Sequence, residues 1–455
     1  MKKNLVSLFS GCGGMDIGFE GGFKVLKETI NTKVNQEWIE KEDEVYYYLK
    51  ETIFETKFAN DINEYAKKTW NDYFLTKKNE ENEIFKVGSI VDIVKDFENG
   101  NTTVFPQNVE IVTGGFPCQD FSVSGKRKGF DSHKDHNGKL IENNLGHNLD
   151  NESIKNTIPS EETRGKLYIW MKKVIEITKP KIFIAENVKG LTNLGEVEKI
   201  IQNDFADIDS NDEKKDGYIV LTKVLHSGMY GVPQSRERIF FIGFKKSALT
   251  KEALEELSKA TISEKYTPYP IPTHRLNGEI HNSSLQDLMI NFTKSSVVLK
   301  DLEEPEKSTD ISQKYYSKAK FMGAHCQGQK EVDLEKLAPT IRAEHHGNIE
   351  YRRLSKENGG KINEELEKGY QERRLTLREC ARIQTFPDDY NFVIPKKGSK
   401  SRFEVSASVG YKLVGNAVPP LLAYHLAKKI ESNWELYFGT ENAKEEIKSE
   451  LKETF

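Results

Sequence analysis

A cysteine placed between glycine-rich backbone and a run of cations is a candidate nucleophile. Residues 114–128 supply one: Gly114-Gly115-Phe116-Pro117-Cys118-Gln119, then Ser122 and the basic triplet Lys126-Arg127-Lys128. Nearby positive charge lowers a thiol pKa and populates the reactive thiolate. Most cysteines are instead small buried apolar residues, and Cys12, Cys326 and Cys380 are read that way. A second group is Glu186-Asn187, which follows the apolar run Ile182-Phe183-Ile184-Ala185. A carboxyl emerging from a buried strand has a raised pKa and can carry a proton, although a solvated strand-end carboxylate is the plainer reading. A third is Gln234-Ser235-Arg236-Glu237-Arg238, where Arg236 and Arg238 are two apart and share one side of an extended strand. Two such guanidiniums can clamp a phosphate or a carbonyl oxygen, or simply keep the surface soluble.

Gly11, Gly13 and Gly14 follow the first apolar run directly, a place where backbone approaches a ligand closely or turns tightly into a helix. Their G-x-G-G spacing is neither the dinucleotide G-x-G-x-x-G nor a phosphate loop ending in GK[ST], so neither NAD nor a nucleoside triphosphate is favoured. Asp61 ends the second apolar run, where its carboxylate could accept both hydroxyls of a ribose or cap a helix.

Positioning these groups requires strands. Leu5–Phe9, Phe58–Ile62, Val109–Thr113, Ile182–Ala185, Ile219–Leu225 and Ile239–Phe244 are short apolar β-branched runs that predict buried strands. Helical periodicity between them, over Ile62–Phe74 and Leu167–Thr178, predicts an α/β layer with a mainly parallel sheet. Ligands in such sheets sit beyond the carboxyl ends of the strands, where Ser10–Gly14, Gly114–Gln119 and Glu186–Val188 all fall. Residues 24–56 are charged and are read as a helical extension of the first connection. The polar stretch Asp131–Thr163 is an expected mobile insertion. From Lys245 to Gln371 the alternation stops, with Pro268, Pro270 and Pro272 at the entry, which predicts a second, smaller domain. Helical periodicity returns at Thr376–Gln384 and Pro419–Ile430, and the tail from Thr440 reads as a fraying charged helix.

The 455 residues are enough for two or three domains, and 36% hydrophobic content supports a sizeable core. No apolar run approaches the roughly 18 residues of a membrane span, so no membrane association is expected. The start MKKNLVSLFSGCGG is broken at Ser10–Gly14 and reads as a strand rather than a signal sequence. A formal net charge of −4 excludes a globally basic nucleic-acid coat but allows local basic patches. Four cysteines without a CxxC pair support neither a zinc ribbon nor a disulfide framework, and fit the cytoplasm.

Six blocks occur in one order: LFSGCGGMDIGF, GGFPCQDFSVSGKRKGF, IAENVKGL, YGVPQSRERIFFIGF, RRLTLRECARIQTFPDDY and VGNAVPPLLAYHLAKKI. In these the chain resembles the DNA cytosine-5 methyltransferases, over roughly residues 1–245 and 372–455. The resemblance implies a Rossmann-like, S-adenosylmethionine-dependent methyltransferase sheet formed by those two stretches, with a target-recognition domain over 246–371. It implies cofactor contacts at Phe9, Gly11, Gly13, Gly14, Asp61, Ile62, Ser89, Ile90, Pro117 and Asn416, with Asp61 on the ribose and Asn416 near the methionine end. It implies Cys118 as nucleophile, Glu186 at the cytosine N3 side and Arg238 at the pyrimidine carbonyl. Arg236 would help to hold the thiolate loop, and Arg164 would lie beside the catalytic pocket. One departure is Gly88-Ser89-Ile90, where the family usually has an acid that touches the adenine.

The residues agree with that chemistry on their own terms. Thiolate addition at C6 with a proton supplied towards N3 makes cytosine C5 nucleophilic enough to attack a sulfonium methyl, and a stacked base must be flipped out to reach such a site. Gln119, Ser122, Lys126, Arg127, Lys128 and Gln234 are the expected DNA contacts near the pocket. Arg342, His345, His346, Arg352 and Arg353, in PTIRAEHHGNIEYRR, are those expected of the recognition domain, an exposed polar hairpin being the alternative. His345-His346 and the His133/His136 pair lack the further ligands of a tetrahedral site, so no metal is expected. The expectation is a monomeric enzyme methylating cytosine in a short specific duplex DNA sequence and releasing S-adenosylhomocysteine. By resemblance and compact layout, a cognate restriction endonuclease is an expected partner. An RNA (tRNA) cytosine-5 methyltransferase on the same fold is the alternative, and a non-catalytic DNA-binding protein a third.

Overall fold

The computed structural model describes residues 2–78, 83–117, 167–193, 196–208, 216–276, 284–326, 328–343, 349–399 and 402–440. Its centre is a seven-stranded sheet of β1 (Lys3–Leu8), β2 (Phe54–Asp61), β3 (Phe85–Val87), β4 (Val109–Gly115), β5 (Ile182–Val188), β6 (Tyr218–His226) and β7 (Glu237–Lys245). The strand order is β3-β2-β1-β4-β5-β7-β6. The pairs β3/β2, β2/β1, β1/β4 and β4/β5 are parallel, whereas β7 runs antiparallel to both β5 and β6.

Strand alternation divides the core. Leu5, Ile111, Ile182 and Ile184 join a cluster on one face with Trp70, Phe74 and Leu421. Val6, Leu8, Val112, Phe183 and Ala185 point to the other, against Val91, Met171 and Phe205. Both faces are therefore buried, which explains why the strands read as continuous apolar runs rather than alternating ones. The helices that bear on function are α1 (Gly14–Glu20), α2 (Glu64–Lys78), α3 (Ile90–Glu98), α4 (Leu167–Thr178), α5 (Val197–Ala206), α6 (Leu377–Ile383), α7 (Ala407–Asn416) and α8 (Pro420–Ser432). A Cβ at Gly18 would lie 2.4 Å from Ala423 Cβ, so α1 and α8 approach as closely as they do only because a glycine lies between them.

The expected helical extension over residues 24–56 is corrected. Lys24–Leu26, Ile39–Glu42 and Tyr46–Leu49 form a three-stranded antiparallel sheet with Tyr46–Leu49 in the middle. The Asp43 carboxylate accepts from the Val45 and Tyr46 amides and closes the turn, and the Tyr46-Tyr47-Tyr48 run prefers a pleated strand, outweighing the surrounding charge. Residues 246–371 carry short elements such as the helices Lys251–Leu257 and Ser295–Leu299, and the strand Tyr351–Arg353, which pairs with Arg373–Arg374. Their buried apolar residues, among them Val298, Ala338 and Ile341, join the same cluster as α1 and α8. Among the described residues no helix is long and apolar enough to cross a membrane. The insertion 131–163 and the tail beyond residue 440 lie outside the described residues.

Candidate active site

The carboxyl ends of β1, β2, β4 and β5 open onto one cavity of about 370 Å³, within the range of small-molecule sites. Phe9, Gly11, Gly14, Asp61, Ile62, Ser89, Ile90, Pro117, Glu186, Arg236, Arg238 and Asn416 all line it. Residues from opposite ends of the sequence are thus gathered at one place.

The turn after β1 is unusual backbone. Phe9 and Gly11 sit at φ 51° and 56°, and Gly13 at 77°. For Phe9 the left-handed conformation carries strain, so its surroundings must hold it. Two carboxylates do so, Asp16 fully buried and Asp61 partly buried. Asp16, in the first turn of α1, accepts from Ser7 Oγ at 2.6 Å, Ser10 Oγ at 2.5 Å and Trp70 Nε1 at 2.8 Å. Asp61 accepts from the Gly11 amide at 2.9 Å and the Asn63 amide at 2.9 Å. Burial raises the pKa of both above the usual carboxyl range, and those donors oppose the rise. Open space surrounds the missing Cβ of Gly11. Gly13 is a correction: it does not line the cavity, and its absent Cβ would lie 2.7 Å from the Trp70 ring, so it serves packing against α2. Gly14 lines the cavity, but its Cβ would meet Val418 O at 2.3 Å, so its smallness admits the segment before α8.

The other wall carries a carboxyl and a guanidinium. In the β7/β5 pairing Phe240 stands opposite Glu186 and Arg238 lies two residues away, which puts Arg238 and Glu186 on the same sheet face. Arg238 Nε and Glu186 Oε1 are 2.9 Å apart. Burial raises the Glu186 pKa, while the charges of Arg238 and Arg236 draw it back. Gly115 is paired with Glu186 across β4/β5, and a Cβ there would lie 3.1 Å from Glu186 Oε2, so the glycine leaves the carboxyl its room. Asn187, on the opposite face, donates from Nδ2 to Phe116 O at 3.3 Å and accepts the Val188 amide at 2.8 Å. It therefore anchors the backbone that leads through Pro117 to position 118.

Several residues expected to contact a ligand or DNA are bonded within the protein instead. Arg236 is 1% exposed and donates to the carbonyls of Ile341, Gly415 and Ala417, so it joins protein segments rather than clamping a ligand. Gln234 is fully buried and is corrected as a DNA contact, because its amide is consumed by Gln384 and Ile341. Arg352 and Arg353 are corrected likewise: both are buried, Arg352 against Glu365 and Glu379, and Arg353 against Glu304 and Glu365. Buried guanidiniums need carboxylate partners, and these are already taken. Arg342 pairs with Glu350 at 2.9 Å. Ser89 occupies the N-cap of α3, where its Oγ accepts from the Val91 amide, and the only carboxylates among the described lining residues are Asp61 and Glu186. Cys118, Gln119, Ser122, Lys126, Arg127, Lys128, His133, His136, Arg164, His345 and His346 lie outside the described residues. Among the described residues no cluster of His, Cys, Asp and Glu could hold a metal ion. Asp16, which holds the turn after β1, is a position that the motif reading does not single out. The signal for Asp16 is a carboxylate inside an otherwise apolar first helical turn, Gly14-Met15-Asp16-Ile17.

The strand order with a single reversed β7, and a cavity at the switch of chain direction, define the Rossmann-like fold of S-adenosylmethionine-dependent methyltransferases. The profile of the C-5 cytosine-specific DNA methylases matches residues 3–141 and 158–432, and the chain belongs to that family. Similar curated proteins include the type II methyltransferase M.BspRI of Lysinibacillus sphaericus, 30% identical over 94% of this chain and 81% of its own length. M.FnuDI of Fusobacterium nucleatum is 28% identical over 99% of this chain and 98% of its own. Among solved structures, a Spodoptera frugiperda DNMT2 variant superposes with TM-score 0.51 at 16% identity, covering 94% of this chain and 99% of that one. The Entamoeba histolytica methyltransferase EhMeth gives 0.50 at 16% identity, over 95% and 99%.

Proposed function

We propose that this DNA (cytosine-5) methyltransferase modifies cytosine within a short specific duplex sequence, as the modification partner of a restriction endonuclease. The observation that carries the chemistry is the Glu186–Arg238 pair, buried beside the strand end that leads to Cys118. A base must leave the helix stack to enter so recessed a site.

Cys118, as thiolate, adds to cytosine C6 while Glu186 supplies a proton at N3, and Arg238 holds the pyrimidine carbonyl. Electron density then accumulates at C5. S-adenosylmethionine supplies an electrophilic methyl on a sulfonium when bound. Once C5 carries the methyl, loss of the C5 proton expels the thiolate, the N3 proton returns to Glu186, and the aromatic ring is restored. The cavity suits that cofactor: Asp61 offers a carboxylate for a ribose diol, Phe9, Ile62 and Ile90 offer apolar walls for a purine, and Asn416 also lines it. At Ser89 the purine amine would meet a hydroxyl and backbone carbonyls instead of an acid. Residues 246–371 are assigned to target recognition, with His345 and His346 as base-reading candidates, and Lys126–Lys128 to phosphate contact.

The test is methylation of a randomised duplex library with S-adenosylmethionine, followed by bisulfite sequencing. One methylated motif is the expected result. A folded, cofactor-binding protein that leaves every duplex unmodified but methylates tRNA would overturn the DNA reading.

A further inference from the structure

Gln234 and Gln384 are both fully buried, and neither lines the cofactor cavity. Gln234 Nε2 donates to Gln384 Oε1 at 2.9 Å. Gln384 Nε2 donates to the Val414 carbonyl at 2.6 Å, and Gln234 Oε1 accepts the Ile341 amide at 2.9 Å. A backbone carbonyl can only accept and an amide N–H can only donate, so both side-chain amides have one permitted orientation. The outcome is a directional hydrogen-bond chain from Ile341 to Val414, two residues before Asn416. Surrounding bonds reinforce it. Ser235 N donates to Ala338 O at 2.8 Å, Ala338 N to Pro233 O at 3.0 Å, and Arg236 grips the carbonyls of Ile341 and Gly415 together. The fit is tight: a Cβ on Gly415 would lie 2.2 Å from the Arg342 carbonyl carbon. Leu413, Gly415, Asn416 and Ala417 form part of the cavity wall.

We propose that Gln234 and Gln384 are positioning residues that tie the segment around Ile341 to the cofactor wall at the end of α7, so that DNA engagement by the recognition segment changes cofactor affinity. The second half rests on the assignment of residues 246–371 to target recognition. A fully buried polar chain is sensitive to loss of any member, because each orphaned group is left without water.

The experiment measures binding of S-adenosylhomocysteine to the full chain by calorimetry, without DNA, from pH 6 to 9, for wild type, Gln384→Met and Gln384→Glu. Gln384→Met abolishes the chain, and about tenfold weaker binding than wild type is expected at every pH. Gln384→Glu keeps the shape. Its neutral carboxyl donates O–H to Val414 and accepts from Gln234, but its ionised form has no proton to give, so affinity should match wild type at low pH and fall as pH rises. A folded Gln384→Met that binds like wild type overturns the proposal. If Gln384→Met does not fold, Gln384→Glu decides: weakening with pH supports the chain, and the wild-type curve overturns it. Duplex carrying the methylated motif should then shift wild-type cofactor affinity several-fold and leave Gln384→Met unmoved; no shift in wild type removes the coupling. A wild type that methylates cytosine regardless of flanking sequence would refute the recognition assignment while leaving the DNA-free result to stand.

Discussion

Arg238 Nε lies 2.9 Å from Glu186 Oε1, with the two side chains 13% and 10% exposed. The pair is an ion pair and a tuning device at once. Burial pushes the Glu186 carboxyl towards its protonated form, and the guanidinium of Arg238 is the foremost charge opposing that. If the protonated carboxyl is the working form, activity declines as pH rises through its pKa. Arg238→Ala removes the opposing charge and should move that alkaline limb of kcat to higher pH. Glu186→Gln should eliminate the limb and lower kcat about 10²–10⁴-fold. An unchanged limb in Glu186→Gln would mean that another group titrates.

Asn187 holds the backbone at Phe116 O, two residues before Cys118, the proposed nucleophile. Asn187→Ala should reduce kcat about tenfold or more while leaving the KM for S-adenosylmethionine near its original value, because the cofactor turn after β1 is untouched. Equal loss in both parameters, read from steady-state kinetics, would contradict this division.

Asp16 satisfies three donors, of which Ser7 and Trp70 are buried and Ser10 partly so. Asp16→Ala should cost on the order of 2–4 kcal/mol in urea unfolding, since Ser7, Ser10 and Trp70 lose a shared acceptor. Its raised pKa means that the carboxyl is held against its charged form, so the neutral isostere in Asp16→Asn should cost distinctly less. Equal costs would show that the charge itself is required.

His274 and His425 are buried with pKa values drawn down by desolvation to about 4 and about 3. His425 packs edge-on to Trp38 and Tyr230, with ring centroids at 4.7 and 5.2 Å. Unfolded histidine takes up a proton near pH 6.5 and the folded residues do not, so their contribution is intact above pH 6.5 and is lost as pH falls towards 4. Urea midpoints between pH 8 and 4.5 should decline accordingly, and less steeply in His425→Asn.

Arg353 and the basic triplet Lys126-Arg127-Lys128 should separate by salt dependence. Arg353→Ala leaves Glu304 and Glu365 short of a partner and should cost about 3–5 kcal/mol of stability with the salt slope of DNA binding unchanged. Replacing the triplet with alanine should reduce that slope by about 1 for each phosphate no longer neutralised, at little cost in stability. A changed slope in Arg353→Ala would return that residue to the DNA surface.

The amino-acid sequence by itself determined the six principal strands, the helices over 167–178 and 420–430, and the family, because buried parallel strands have a local signature and the motifs are contiguous. It also singled out Glu186 and Arg238, whose strand-end positions can be read from the apolar runs beside them. What only the tertiary structure decided depends on partners far along the chain. Arg352 and Arg353 look like a nucleic-acid surface until Glu304, Glu365 and Glu379 arrive to neutralise them. Gln234 looks like a base reader until Gln384, 150 residues later, consumes its amide. Gly13 looks like part of a ligand-facing turn until Trp70 claims the space beside it. Type and spacing state what a polar side chain can bond, whereas burial and long-range packing decide what it does bond.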